Sequence, residues 1–259
     1  YSCAALPQQQ CCRSPGTVKG TLQRMRIIPV QTAETIMRRD SERNYWQTSL
    51  ELWVHGHGEG SKMTEVRAMG TEGVRFAVGR QCAPVLAGVK PSNLLIMEKG
   101  HEELLGWELK GTRLARCLLY TSQRKDYWLL FEPAKVKAVM GDPQNESFLL
   151  SQGYERSLSL AGMLLQFRSR FAGYKEGRDG FPHEMGLLLG YPLKDVLGFI
   201  EHEGRDFKLS GYWKVYDDVD YAQAIFELYQ YAKQAVLQLC RQGAELSDIC
   251  RVCRENIQA

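Results

Sequence analysis

The most regular pattern of apolar and polar positions lies in the last third of the chain. Between Asp218 and Gln242, the residues Ala222, Ile225, Phe226, Tyr229, Ala232, Val236 and Leu239 recur at the i, i+3, i+4, i+7 spacing of one helix face. Gly243 ends that helix, and Glu245–Arg254 predicts a short final one. Strand-like runs lie further upstream. Ser92–Met97 (SNLLIM) predicts a short strand, and Arg113–Thr121 and Asp126–Glu132 predict two more. The short polar link Ser122–Lys125 between the last two predicts a hairpin. Helical segments are expected at Thr64–Gln81, ending before Cys82-Ala-Pro84, and at His101–Lys110 with Gly111 as its stop. Pro133 opens another helix, which Gly141-Asp-Pro143 breaks, and Asn145–Gln152 and Ser157–Phe171 follow. A polar, glycine-rich loop at Gly173–Gly180 precedes two short helices, Pro182–Leu189 and Pro192–Glu203, separated by Gly190-Tyr191. Lys208–Tyr216 (KLSGYWKVY) alternates as one strand. The expected fold is α/β or α+β: a single compact domain with a small sheet of about four strands surrounded by helices.

The first 62 residues follow a different pattern. Residues 1–20 show no period, a loose apolar stripe marks a helix at Thr32–Trp53, and His55-Gly-His57-Gly-Glu-Gly60 reads as a linker. Met63 opens an ordinary-looking start, so the domain is expected to span 63–259, with 1–62 as a poorly ordered extension outside the native domain. Charge follows the same division. Residues 1–62 carry eight Lys/Arg against five Asp/Glu, whereas the rest carries 25 of each. A neutral domain lacks the basic footprint of a nucleic-acid binder, so nucleic acid is not an expected partner. No apolar run is long enough to span a membrane. Most of the eight cysteines sit among apolar neighbours, with no secretory signal before them, which predicts reduced thiols and a cytoplasmic protein.

One stretch carries a family likeness. Phe181-Pro-His-Glu-Met-Gly-Leu-Leu-Leu-Gly-Tyr-Pro-Leu-Lys-Asp-Val-Leu-Gly-Phe-Ile200, followed by Gly211-Tyr-Trp-Lys-Val-Tyr216, resembles the signature of the domain of unknown function 3793 family of clostridia-type Firmicutes. Cys82-Ala-Pro-Val-Leu-Ala-Gly-Val-Lys-Pro-Ser-Asn-Leu94 and the Gly153-Tyr154 step fit as well, so the resemblance runs from about Met63 to Gly243. It implies no activity and no cofactor. Gene neighbourhood in the family suggests an accessory role in iron or flavodoxin-linked redox metabolism, which is association alone.

Candidate chemistry concentrates in the same stretch. His183-Glu184 resembles half of a zinc-protease helix, but the second histidine that would share the metal is replaced by Leu187, so no metal site is expected. His183 is a candidate general acid/base, with Glu184 orienting it. The plainer reading has Glu184 favouring a helix start and His183 bonding the loop before it. Gly186, Gly190 and Gly198 fit no phosphate-loop spacing and read instead as close-packing and turn positions. Asp195 either contributes to a ligand site or stabilises the first turn of its helix. If Lys208–Tyr216 is one strand, Tyr212, Lys214 and Tyr216 share a polar, aromatic face that could bind an anion or a flat ligand, and Trp213 points to the core. The alternative for Lys214 is a snorkelling surface lysine. Arg168 and Arg170 could reach an anion near His183, or form a solvated face. Cys82 and the Cys250-x-x-Cys253 pair read as packing cysteines. Tyr191 completes the expected site, formed by the loop into His183, the Tyr191-Pro192 turn and the Lys214 segment. The reading that follows is a non-enzymatic binding or accessory protein for a small anionic ligand or a protein partner. The alternative is an enzyme with His183 as acid/base and Lys214 holding an anionic substrate.

Overall fold

The computed structural model describes residues 70–257 apart from residue 157. The expectations for the first 62 residues, for Met63 and for the start of the first helix lie outside the described residues. Helix α1 (Thr71–Leu86) does not stop before Cys82 but runs on to Leu86. Pro84 has no N–H to donate to the preceding turn and its ring crowds that turn. The chain absorbs this in a kink at Cys82 (φ −119°, ψ 17°) rather than ending. The helix closes where Gly88 adopts φ +74° and the backbone N–H groups of Val89 and Lys90 return to the Pro84 carbonyl.

Three strands follow: β1 (Ser92–Glu98), β2 (Ala115–Thr121) and β3 (Lys125–Phe131), with α2 (Glu102–Glu108) between the first two. The sheet order is β1-β3-β2 and both pairings are antiparallel, with Ser92 opposite Phe131 and Ala115 opposite the same residue from the other side. The expected hairpin is β2–β3, closed by mutual bonds between Ser122 and Lys125. At Ile96 the outer edge of β1 is met by a side chain. The Gln81 amide donates to the Ile96 carbonyl (3.1 Å) and accepts from the Ile96 N–H (3.0 Å), taking the place of a further strand.

Helices α3 (Pro133–Met140), α4 (Pro143–Ser151) and α5 (Leu160–Lys175) come next. Asp142 caps α4 through bonds from the Gln144 and Asn145 N–H groups, so the break at Gly141 begins a new helix rather than a loop. Then come α6 (Met185–Leu188), α7 (Leu193–Glu201), the two-residue strands β4 (Leu209–Ser210) and β5 (Lys214–Val215), α8 (Val219–Arg241) and α9 (Leu246–Ile257). The strand expected at Lys208–Tyr216 is therefore a correction. It folds on itself as a miniature hairpin, with Leu209 opposite Val215 and Ser210 opposite Lys214, so the sheet has three strands and not about four. Alternation over nine residues suits either arrangement. The hairpin is closed by the Lys208 N–H on the Val215 carbonyl and the Gly211 N–H on the Trp213 carbonyl, and Gly211 fits its turn because a Cβ there would lie 2.1 Å from the Phe226 ring.

The molecule is α+β. One sheet face packs Leu94, Leu129 and Phe131 against Phe167 and Phe171 of α5 and against Leu187 and Leu188 of α6. On the other side α1 lies against β1, and α8 lies against α1. A smaller core joins Trp213 and Val215 to Ala222 and Tyr229 of α8. Between the two cores runs the segment from Phe181 to Tyr216. Gly186 packs where a Cβ would stand 2.7 Å from Val196, and Gly198 where one would stand 2.6 Å from Tyr216, so both serve close approach.

Candidate functional site

Pro182 leads into the turn before α6, and that turn places His183 and Glu184 in different surroundings. Glu184 is fully buried (0% exposed). Its carboxylate accepts from the Tyr154 hydroxyl (2.9 Å) and from Arg170 Nε (2.6 Å) and Nη2 (3.4 Å). Arg170 Nη1 continues to the Gln152 carbonyl (3.1 Å). Burial, and then the adjacent Glu184 charge, push the Tyr154 phenol far above its ordinary range. Glu184 thus ties α5 and the end of α4 to the turn before α6, and its oxygens are used by those partners rather than by His183. The arginine that reaches this turn is Arg170. Arg168 is exposed, and its charge acts on Cys117 of β2.

His183 is half-buried. Its ring meets Phe181 edge-on (centroids 5.4 Å apart, planes 68° apart) and lies 6.1 Å from Phe199. Burial lowers its pKa below the ordinary value, which leaves a neutral imidazole at pH 7. The Phe199 ring also meets Lys214, whose Nζ stands 5.8 Å from its centroid and 4.5 Å from that of Phe207. Lys214 donates to the Gly204 carbonyl. It is only 7% exposed, so it lies on no exposed strand face and does not snorkel. The miniature hairpin turns it inward beneath the loop after α7. In that loop Glu203 (φ 50°), Gly204 (φ 74°) and Asp206 (φ 54°) are all left-handed, a conformation that costs energy at the two non-glycine positions. Burial pushes the Lys214 ammonium down to about 8.

The other expected site residues divide between packing and support. Asp195 is 3% exposed and both its oxygens are engaged: Oδ2 accepts from Trp213 Nε1 (2.7 Å), and Oδ1 from Tyr216 N–H (2.7 Å) and Asp217 N–H (3.0 Å). It pins the hairpin and the segment after it to the first turn of α7. Tyr191 stacks on Trp213 (5.2 Å, 28°), and Tyr212 packs on Phe226 and edge-on to Tyr229. Tyr212, Lys214 and Tyr216 therefore do not form one face. Tyr216 stacks on His202 (5.5 Å, 7°), and its hydroxyl is buried with no hydrogen-bond partner among the described residues. His183 and Lys214 each meet the Phe199 ring, the loop at Gly204 lies beside both Phe199 and Lys214, and Tyr216 of the Tyr216–His202 stack packs on Gly198.

One buried group escaped the sequence reading. Lys90 is 2% exposed, with Nζ 5.4 Å from the Tyr191 centroid and 5.6 Å from that of Tyr229. Burial pushes it down to about 7. The available signal is that Lys90 is the sole charge between Arg80 and Glu98. The Cys82 thiol beside it is fully buried and raised far above the ordinary thiol value, the opposite of an activated thiolate. Cys250 and Cys253 are buried free thiols pushed up to about 11 and about 12. Among the described residues, no three His, Cys, Asp or Glu side chains gather closely enough to hold a metal ion. No described helix is long and apolar enough to cross a membrane.

The site thus offers one ammonium held in apolar surroundings and one neutral imidazole, both against a single phenyl ring. That pair can hold an anion and donate to it. The Glu184 charge acts on that imidazole against the larger effect of burial, while the Glu184 oxygens are engaged by Tyr154 and Arg170. No curated protein and no solved structure matches the chain. A family model described as "Protein of unknown function (DUF3793)" matches residues 78–250, a span that takes in α8 and ends at Cys250 of α9, and the chain belongs to that family.

Proposed function

We propose that this protein is a binding module for a small anionic ligand, held between the Lys214 ammonium and the His183 imidazole at the Phe199 ring. One observation carries the reading. Two groups from segments 31 positions apart meet on one side chain, and one is an ammonium kept where burial penalises its charge. A bound anion would relieve that penalty, so binding free energy is available at this point. Catalysis by His183 has less support, because Glu184 is engaged by Tyr154 and Arg170 and the imidazole lacks the orienting carboxylate that acid–base work commonly uses. The five described cysteines carry free thiols, which supports a reducing, cytoplasmic setting.

The test is titration calorimetry of the full chain with inorganic phosphate at pH 7. Millimolar or tighter binding is expected, weakened about tenfold by Lys214→Met, the loss of one charge-assisted hydrogen bond. His183→Ala should weaken it several-fold. Absence of binding, or equal affinity in a folded Lys214→Met protein, overturns the proposal.

A further inference from the structure

We infer that the loop between α7 and the hairpin, residues 203–207, is a gate over this site, and that an anion reaches Lys214 only when Gly204 lifts away. This rests on the anion reading above. Gly204 covers both groups at once. Its carbonyl accepts from the Lys214 ammonium, and a Cβ added to it would stand 2.8 Å from the Phe199 ring and 3.5 Å from Lys214 Nζ. Phe199 and Lys214 are 9% and 7% exposed, so neither is open to solute while the loop is down. The ammonium is already engaged by protein, and an incoming anion has to take the place of a carbonyl that it holds.

Both ends of the loop are anchored. On one side the His202 N–H bonds to the Gly198 carbonyl (2.9 Å) and the His202 ring stacks on Tyr216. On the other, the Lys208 N–H bonds to the Val215 carbonyl (2.9 Å) and Lys208 Nζ to the Asp217 carbonyl (2.9 Å). Between the anchors only Gly204 is buried: Glu203, Arg205 and Asp206 are exposed and Phe207 is half-buried. A segment with so little apolar burial opens at low cost. The closed form also carries the left-handed backbone of Glu203 and Asp206, strain that opening releases. It is held down by the Lys214 bond and by two turn bonds, Gly204 N–H to the Phe199 carbonyl (2.9 Å) and Arg205 N–H to the His202 carbonyl (2.8 Å). The acidic groups of the loop have neighbours within it: Glu203 pairs with Arg205, and Asp206 Oδ2 lies 3.9 Å from His202 Nδ1.

The test follows hydrogen exchange of the Gly204 and Arg205 amides in the full chain at pH 7, with and without saturating inorganic phosphate. A ligand held by a preformed site slows exchange around it. A gate gives the opposite sign: phosphate should speed both amides several-fold, while the amides of α8 are not speeded. Gly204→Ala supplies a second readout. Its methyl group would meet the Phe199 ring, at a φ of +74° that L side chains rarely adopt, so it disfavours the closed form. The open fraction rises, and Gly204→Ala should bind phosphate several-fold tighter than the wild type. Phosphate that binds while the two amides slow or keep their rate overturns the gate and leaves the anion site standing. A folded Gly204→Ala protein with unchanged or weaker affinity does the same. If phosphate binds neither protein, both readings fall.

Discussion

Replacing Glu184 by glutamine (Glu184→Gln) tests whether this residue holds the fold together. The side chain is fully buried, with Arg170 Nε at 2.6 Å and the Tyr154 hydroxyl at 2.9 Å. Removing one partner of a buried ion pair costs about 3–5 kcal/mol, because the remaining charge is stranded. Here the Arg170 side chain is 36% exposed and can turn partly to water, which moves the expected cost to about 2–3 kcal/mol. Glutamine keeps an oxygen for Tyr154, but it loses the charge and sets an amide N–H2 against guanidinium donors. For a domain of this size, a loss on that scale lowers the melting temperature by roughly 5–10 °C. The assay is urea unfolding at pH 7 followed by circular dichroism, run on the wild type, Glu184→Gln, Arg170→Met and the double variant. The cycle should return a coupling of about 2 kcal/mol, since each single change strands the other group. A change below about 0.5 kcal/mol in Glu184→Gln, or additive single effects, would refute this role and return Glu184 to the list of groups free for chemistry.

Two further outcomes follow from the buried polar groups. Lys90 ionises near 10.5 in the unfolded chain and near 7 in the fold, so between those values the unfolded state holds the extra proton and stability rises with pH. Lys90→Met should therefore be more stable than the wild type at pH 7. That advantage should shrink by roughly 3 kcal/mol by pH 9.5, and an unchanged difference in urea midpoints at the two pH values would contradict the burial argument. Asp195→Asn should cost about 2–3 kcal/mol, because its amide nitrogen must oppose at least one of the donors from Trp213, Tyr216 and Asp217. Urea unfolding read by tryptophan fluorescence checks it, and a neutral result would show that the carboxylate does not pin the hairpin.

Elements whose pattern is local were legible in the sequence, and positions decided by distant partners were not. The β2–β3 hairpin follows from two apolar runs and a short polar link, and α8 from its helical spacing. The Lys208–Tyr216 stretch did not yield to the same reading, because its partners are Asp195, 18 positions before Trp213, and the Phe226 ring on the next helix. Glu184 looked like a helix-start acid because Arg170 and Tyr154 lie 14 and 30 positions away. Arg168 and Arg170 are two residues apart on α5, which places them on opposite sides of the helix, and only tertiary packing shows which one faces the turn. His183 and Lys214 were each visible as chemistry-bearing residues, whereas Phe199, the ring they share, read as one more apolar position of α7.

The most direct test of the anion site is the affinity of the full chain for sulfate as a function of pH, since sulfate keeps its charge throughout. Between pH 8 and pH 10 His183 is neutral, and burial holds the Tyr216 phenol up at about 12, so Lys214, pushed down to about 8, is the site group that titrates. The account predicts an affinity that is level just below pH 8 and falls by about tenfold per pH unit above it, with the fall abolished in Lys214→Met. A sulfate affinity that stays constant to pH 10, or that falls equally in Lys214→Met, would contradict it.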